Sequence, residues 1–415
     1  MSIDRDLRAL LSEGVRERVF ERAAVAVCLS GELVLTVGTH NPNDVFDVAS
    51  LTKVATAALS LRRLPLDAIY PWIPFRALIP DLLAHRSGLP AWRPFFDVTA
   101  ALLRVRLTDL IARPELQAQA RGIVAGYLPL MTIDRAPKPT YSDVNFLLLG
   151  FTLAGDAESS LATIAQTDLF KPLGLRSMQW GGENSSAVPT GRGRPRAGNP
   201  IIRLYGDATR TAGRRFPSLS DETLEQAIAG IRGPLGGTVD RNDMIRMLVA
   251  LTRIEWGSDP IPPVGTDPRA VDNAVDDDNA ASMGGLTGHA GLWSSAPDMA
   301  RLGDALRRCA EGESDVPLPP EKARMLFERA CESRTYGLDT PSGDEPAIGT
   351  ILGRGPKGAA GHLGFTGCSL WIDRDAELSV AFLSNAVIIE RPNNRIRAFR
   401  PRVHDLIAQG LRSET

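Results

Sequence analysis

Lysine is scarce in this chain of 415 residues: of 47 basic side chains only five are lysine, Lys53, Lys138, Lys171, Lys322 and Lys357. A motif that needs lysine therefore has few places to stand. Cysteine is as sparse. Cys28, Cys309, Cys331 and Cys368 lie far apart with no C-x-x-C pair, which argues against a disulfide framework or a zinc site and predicts buried free thiols. No apolar run approaches the ~20 residues of a bilayer span. The net charge is −2, so the chain carries no electrostatic footprint for nucleic acid or an anionic membrane. A G-x-S-x-G elbow, a Walker A loop, a Rossmann fingerprint after the first strand and an H-E-x-x-H pair are all missing. Their absence argues against an α/β-hydrolase triad, a nucleotide or dinucleotide cofactor and a zinc-peptidase centre. The expectation is a cofactor-free protein that acts on a small molecule, with no nucleic-acid or membrane partner and nothing to define a protein partner.

What is present reads as a globular chain. It is 43% hydrophobic and 23% charged, and is long enough for two or three lobes with substantial cores. The first residues, "MSIDRDLRALLSEGVRERVFERA", are charged throughout and show no apolar signal-peptide core, which predicts a cytoplasmic location. Leu7, Leu10, Leu11, Val15, Val19 and Phe20 are spaced for one face of a helix. Residues 23–38 read as two strands about a Ser30-Gly31 turn. A helix follows from about Ser50, with Leu51, Val54, Ala55, Ala58 and Leu61 at helical spacing and Pro65 near its end.

The middle of the chain is mostly helical, broken by "HRSGLP" at 85–90. A Gly/Pro/Arg-rich segment fills 181–217, and a loop over 257–282 carries Asp276, Asp277 and Asp278, read as a solvated acidic run. Near the end, "CSLWIDRDAELSVAFLSNA" predicts a hairpin about Asp373–Asp375, and a last helix is expected from Pro401. Strands, then helices, then strands and a helix give an α+β fold. The terminal strands pair in one antiparallel sheet flanked by terminal helices, and a helical subdomain is inserted between them. The expected division is 1–80 with 295–415 for the sheet subdomain and 81–294 for the helical one, including a loop-rich insertion at about 181–270.

Within "DVASLTKVATAAL" (47–59), Ser50 stands three residues before Lys53, on the same side of the helix start. Taken alone, the pair could be an N-cap serine and a solvated lysine. The other reading is a nucleophile and its base, since a serine hydroxyl needs a neighbour to take its proton and a lysine can do so once its pKa is lowered. Three later segments favour the chemical reading: "YSDVNFLLLG" at 141–150, "GHAGLWSSAPDMARL" at 288–302 and "GHLGFTGCSLWID" at 361–373. With "LLAHRSGLP", and in this order over most of the chain, they resemble the serine β-lactamase and penicillin-binding-protein superfamily. The match is to its class C and esterase side, and most to a bacterial subgroup linked to cell-wall fragments that includes muramoyl-alanine amidases.

The resemblance implies a β-lactamase/transpeptidase-like fold and assigns roles to particular residues. Ser50 becomes the nucleophile, Lys53 its base and Tyr141 a second proton carrier. The backbone N–H groups of Ser50 and Phe365 become the oxyanion hole, in which the loss of one donor costs about 2.7–4 kcal/mol of barrier. Asp143, His362 and Gly364 become substrate-binding or proton-relay positions, although Asp143 could as well cap the helix from Val144 onward. Two departures carry information. Asp143 stands where the class C pattern has Asn, and a carboxylate near Lys53 favours the ammonium form. Leu363 stands where Thr is common and His362 where Lys is usual, so the pair that grips a substrate carboxylate is missing. That argues against a D-alanyl-D-alanine carboxypeptidase or β-lactamase. It favours an amide or ester with a neutral neighbouring group, or one held by an arginine from a loop. His85 and His289 are expected to be structural. The expected function is an acyl-serine hydrolase, an amidase or peptidase on muropeptides in the cytoplasm. A carboxylesterase is the alternative, and a catalytically idle binding homologue the third reading.

Overall fold

The computed structural model describes residues 3–73, 76–103, 105–131, 139–190, 274–331, 333–343, 346–390 and 393–413. Beyond residue 190, the expected 181–270 insertion lies outside the described residues.

The strands are β1 (Ala23–Leu29), β2 (Glu32–Gly38), β3 (Val45–Asp47), β4 (Gln179–Trp180), β5 (Leu292–Ser295), β6 (Ala359–Leu363), β7 (Ser369–Asp373) and β8 (Leu378–Ser384). Five of them form an antiparallel sheet in the order β2–β1–β8–β7–β6, and three short ones a second sheet in the order β3–β5–β4. The β1–β2 hairpin turns at Ser30 (φ +50°) and Gly31 (φ +94°), the left-handed pair that a two-residue turn between twisted strands requires. The predicted C-terminal hairpin is β7–β8, closed over Arg374–Glu377.

Side chains alternate across the large sheet, as the period of two demands. Ala24, Ala26 and Cys28 of β1 face one core together with Leu370, Ile372, Ala381 and Leu383. Val25 and Val27 face a second core with Trp371, Val380 and Phe382. The second core is closed by helices α1 (Ile3–Arg16) and α7 (Arg395–Ser413), through Leu7, Leu11, Phe399, Val403 and Ile407. The first core is closed by α2 (Thr52–Arg63) and α6 (Ala296–Glu311) and continues into a helical layer. That layer includes α3 (Phe95–Leu103), α4 (Pro114–Tyr127) and α5 (Asp143–Asp156). Among the described residues no helix is long and apolar enough to cross a membrane. Cys28, Cys309 and Cys368 are buried free thiols, and Cys331 is partly exposed.

Two expectations are corrected. The last helix starts at Arg395 and carries Pro401 inside it. Ile396 and Phe399 are buried against the sheet, and that packing outweighs the single N–H bond which Pro401 cannot make. The acidic run is not a solvated loop: Asp276 and Asp278 are buried. The Asp47 carboxylate accepts from the Asp276 N–H at 2.7 Å, which folds the run in behind β3. Asp277 accepts from Ala280 N–H and so caps the short helix Asp278–Ser282.

Candidate active site

Ser50 lies in a single 3-10 turn, Ala49–Leu51, between β3 and α2. The residue before it, Ala49, has φ +47°, a left-handed conformation that a residue with a Cβ adopts at a cost. Neighbours hold it there. Asp47 Oδ1 accepts from the Ala49 N–H at 2.9 Å, and Thr52 Oγ1 donates to the Ala49 carbonyl at 2.6 Å while accepting from Leu292 N–H at 3.1 Å. Burial, the largest effect, pushes the Asp47 carboxyl up to about 7. Asp276 and Asp277 add to this, against the two backbone N–H groups. Ser50 Oγ does not cap a helix. It accepts from Lys53 Nζ at 2.9 Å and from the Tyr141 hydroxyl at 3.0 Å. The N-cap reading of Ser50 and the solvated reading of Lys53 are therefore both set aside.

Lys53 is fully buried. Its Nζ also donates to the His289 carbonyl at 3.0 Å, and Asp143 Oδ1 lies 2.8 Å away as an ion pair, off the hydrogen-bond directions. Burial alone would draw the ammonium pKa down, but Asp143 and Tyr141 outweigh it and hold Lys53 above its ordinary value. The resting lysine is therefore charged. Burial also raises the Tyr141 phenol, which the Lys53 charge only partly offsets. Tyr141 stands just before α5. Ser142 caps that helix by accepting from Asn145 N–H, which leaves Asp143 free to face Lys53 from its first turn. The Tyr141 ring lies against Lys53 Nζ and the Arg334 guanidinium, each 4.9 Å from its centroid, and against the His85 ring at 4.9 Å.

The end of β6 meets this turn from the other side. A Cβ on Gly364 would come within 2.5 Å of the Val48 carbonyl, and Thr366 Oγ1 donates to the Asp47 carbonyl at 2.8 Å. Phe365, exposed, is set between these two anchors. His362 is buried with its ring 5.9 Å from that of Tyr141. Its Nδ1 bonds the Leu363 carbonyl at 2.8 Å, which assigns the proton to Nδ1 and leaves Nε2 as an acceptor. Burial holds the ring neutral by lowering its pKa.

Structure thus brings Ser50, Lys53, Tyr141 and Asp143 into direct contact, with His362, Gly364 and Phe365 around them. His85 and His289 do bond turns as expected, but both turns belong to the site: His85 Nδ1 accepts from Ser142 N–H, and His289 pairs with Asp277 at 3.1 Å. Sequence reasoning missed Asp47, two residues before a strained turn that no local pattern announces, and Arg334, whose place over Tyr141 is purely tertiary. Beside Leu363 a cleft of about 390 Å³ is lined by Arg334, Asp339, Thr340, Arg397 and Arg400, among others.

Chemically, a hydroxyl within hydrogen-bond reach of an amine and a phenol suits acyl transfer through a serine ester. The family profile described as Beta-lactamase matches residues 74–400. A relative from Escherichia coli (strain K12), "Putative D-alanyl-D-alanine carboxypeptidase", is 25% identical over 388 residues, 87% of this chain and 72% of its own length. The D-amino acid amidase of Ochrobactrum anthropi SV3, complexed with D-phenylalanine, superposes with a TM-score of 0.59 at 14% identity, over 98% of this chain and 99% of the amidase. A penicillin-binding protein homologue from Caulobacter crescentus does so with a TM-score of 0.56 at 16% identity, over 98% of each chain. At such identities the superpositions speak for the fold, whereas the profile match runs through most of the sequence. The chain belongs to the β-lactamase family of serine hydrolases.

Proposed function

We propose that this enzyme is an amidase or peptidase that cleaves muropeptide-type amides from cell-wall turnover in the cytoplasm, through an acyl-serine at Ser50. The observation that carries the reading is Ser50 Oγ held at once by Lys53 Nζ at 2.9 Å and by the Tyr141 hydroxyl at 3.0 Å. The names of the relatives, a carboxypeptidase for D-alanyl-D-alanine and an amidase for D-amino acids, support a substrate of that class. Leu363 lacks a hydroxyl for a carboxylate, but Arg397, beside it in the cleft, has no ion pair among the described residues, and Arg334 lies between that cleft and Tyr141. Arg397 suits a free acid group of a wall peptide, whereas Arg334 is already paired with Asp339.

Lys53 is charged at rest, so the first proton to move is its own. That proton must leave before the relay starts, and the Asp143 carboxylate, 2.8 Å away, is the charge that opposes its departure. Neutral Lys53 then takes the Ser50 proton while Oγ bonds to the amide carbon. The developing oxyanion is received by the N–H groups of Ser50 and Phe365. The C–N bond breaks as Tyr141 gives its proton to the amine and regains one from Lys53. Water hydrolyses the ester by the same relay in reverse. A carboxylesterase remains the second reading, favoured by the apolar Leu363. Mass spectrometry of a soluble muropeptide mixture before and after incubation, with Ser50→Ala as control, separates the two. Loss of peptide mass that needs Ser50 is expected. An unchanged mixture beside rapid hydrolysis of activated esters points to the esterase, and equal fluorophosphonate labelling of wild type and Ser50→Ala would sink the nucleophile.

A further inference from the structure

Arg400 is a buried cation. It lies on α7, is only 5% exposed, and makes no ion pair among the described residues. Burial, the largest effect, lowers its guanidinium to about 10, which marks how little charge compensates it. A methionine of similar length would avoid that desolvation cost. Its hydrogen bond among the described residues is specific: Nη2 donates to the Gly364 carbonyl at 2.8 Å. That oxygen also accepts from Gly367 N–H at 3.0 Å and Cys368 N–H at 3.1 Å.

The Gly364 carbonyl belongs to the same peptide unit as the Phe365 N–H. In a trans peptide the two point in opposite directions, and resonance couples them. A charged donor on the oxygen therefore does two things to the nitrogen. It fixes the plane, and it draws electron density from the N–H, making that group a stronger donor. Gly364 and Thr366, on either side of Phe365, are both pinned to the Asp47–Val48 segment that leads into Ser50. One turn along α7, the His404 ring nitrogen lies 3.3 Å from Ser369 Oγ, and Ser369 is the β7 partner of Leu363. The C-terminal helix thus holds both arms of the β6–β7 turn.

We propose that Arg400 is a positioning residue for the oxyanion hole, orienting and polarising the Gly364–Phe365 peptide so that its N–H serves the carbonyl attacked by Ser50. This rests on the reading of Ser50 as nucleophile given above. The role places an essential part of the chemistry on a helix that touches neither nucleophile nor base.

The test compares wild type with Arg400→Met, Arg400→Lys and, as a control on the same helix, Arg402→Met, whose exposed parent residue pairs with Glu13. Each hydrolyses a 4-nitrophenyl ester and its thionoester, whose sulfur is a poor hydrogen-bond acceptor. In Arg400→Met kcat for the oxo-ester should fall about 30- to 100-fold with KM within about twofold, because the lost interaction exists only in the transition state. The oxo/thiono rate ratio should fall by a similar factor, and inhibition by a boronic acid should weaken in step. Arg400→Lys should restore about tenfold of the loss, and Arg402→Met should match wild type. General structural damage would slow both esters equally, so an unchanged ratio in both Arg400 variants overturns the inference. If Arg400→Met does not fold, Arg400→Lys decides on the same ratio. If the wild type forms no acyl-enzyme at Ser50, the nucleophile reading falls and takes this one with it.

Discussion

Replacing Asp143 by asparagine removes the charge that faces Lys53 Nζ at 2.8 Å and keeps the shape. Two unit charges at that distance, in an effective dielectric of about 20, interact by about 6 kcal/mol. The Asp143 side chain is 19% exposed, and allowing solvent to screen about half leaves about 3 kcal/mol in favour of the ammonium form. In the wild type the lysine is held above its ordinary value. Its pair therefore contributes stability that is fully present below the unfolded-state value of about 10.4 and is lost as pH rises through the folded value above it. In Asp143→Asn the opposing burial acts with only Tyr141 against it, and the folded value drops. The unfolded chain then binds more protons, so stability should rise with pH over the alkaline range. If Lys53 takes the Ser50 proton, the acid limb of kcat/KM, measured with an activated ester, should move to lower pH. Thermal melts across the same range report the stability slope. A limb that stays in place while the melting curve changes slope would show that Lys53 is not the base.

Leu363→Thr places a hydroxyl in the cleft beside Arg397 and Arg400. Acylation of Ser50 by a fluorescent penicillin, followed on gels, should speed up about tenfold, as one hydrogen bond to a carboxylate allows. An unchanged rate would show that Leu363 is not what disfavours carboxylate-bearing acyl donors. Asp47→Asn addresses the carboxyl that burial pushes up to about 7. The native state keeps this proton to higher pH than the unfolded chain does, so stability should fall between about pH 4 and 7, by up to about 4 kcal/mol. Urea midpoints at several pH values should lose that slope in the variant, and a slope that survives would place the titration elsewhere.

Much of the fold was legible because its patterns are local. β1 and β2 announce themselves as apolar runs about a Ser-Gly turn, and α1 by Leu7, Leu10 and Leu11, although Val15 is exposed and Val19 and Phe20 lie beyond the helix end. Ser50, Lys53 and Tyr141 could be singled out because each stands at a helix start in a short motif. Residues that reach the site through tertiary packing left no such trace. Arg400 is one of several arginines between 391 and 402 and becomes distinct only when α7 folds over the β6–β7 turn. Arg334 looks like any loop arginine until it covers Tyr141. The acidic run misled for the same reason: three adjacent aspartates imply solvent unless a partner such as Asp47 draws their backbone inward. Pro401 misled because a strong local rule was outweighed by the burial of Ile396 and Phe399.

The sheet order also sets a schedule for the ribosome. β1 lies between β2 and β8, with Ala23 registered against Ser384. The first hairpin can close as soon as it emerges, but the other edge of β1 stays open until nearly the whole chain has been made. An open strand edge invites pairing with other chains, and contacts this distant in sequence form slowly. Ser50, Lys53 and Tyr141 are all made long before Phe365 arrives to face them. An unfinished polypeptide would therefore carry Ser50 and Lys53, the proposed nucleophile and base, without Phe365, and would depend on whatever shields its half-built sheet until the C-terminal strands dock.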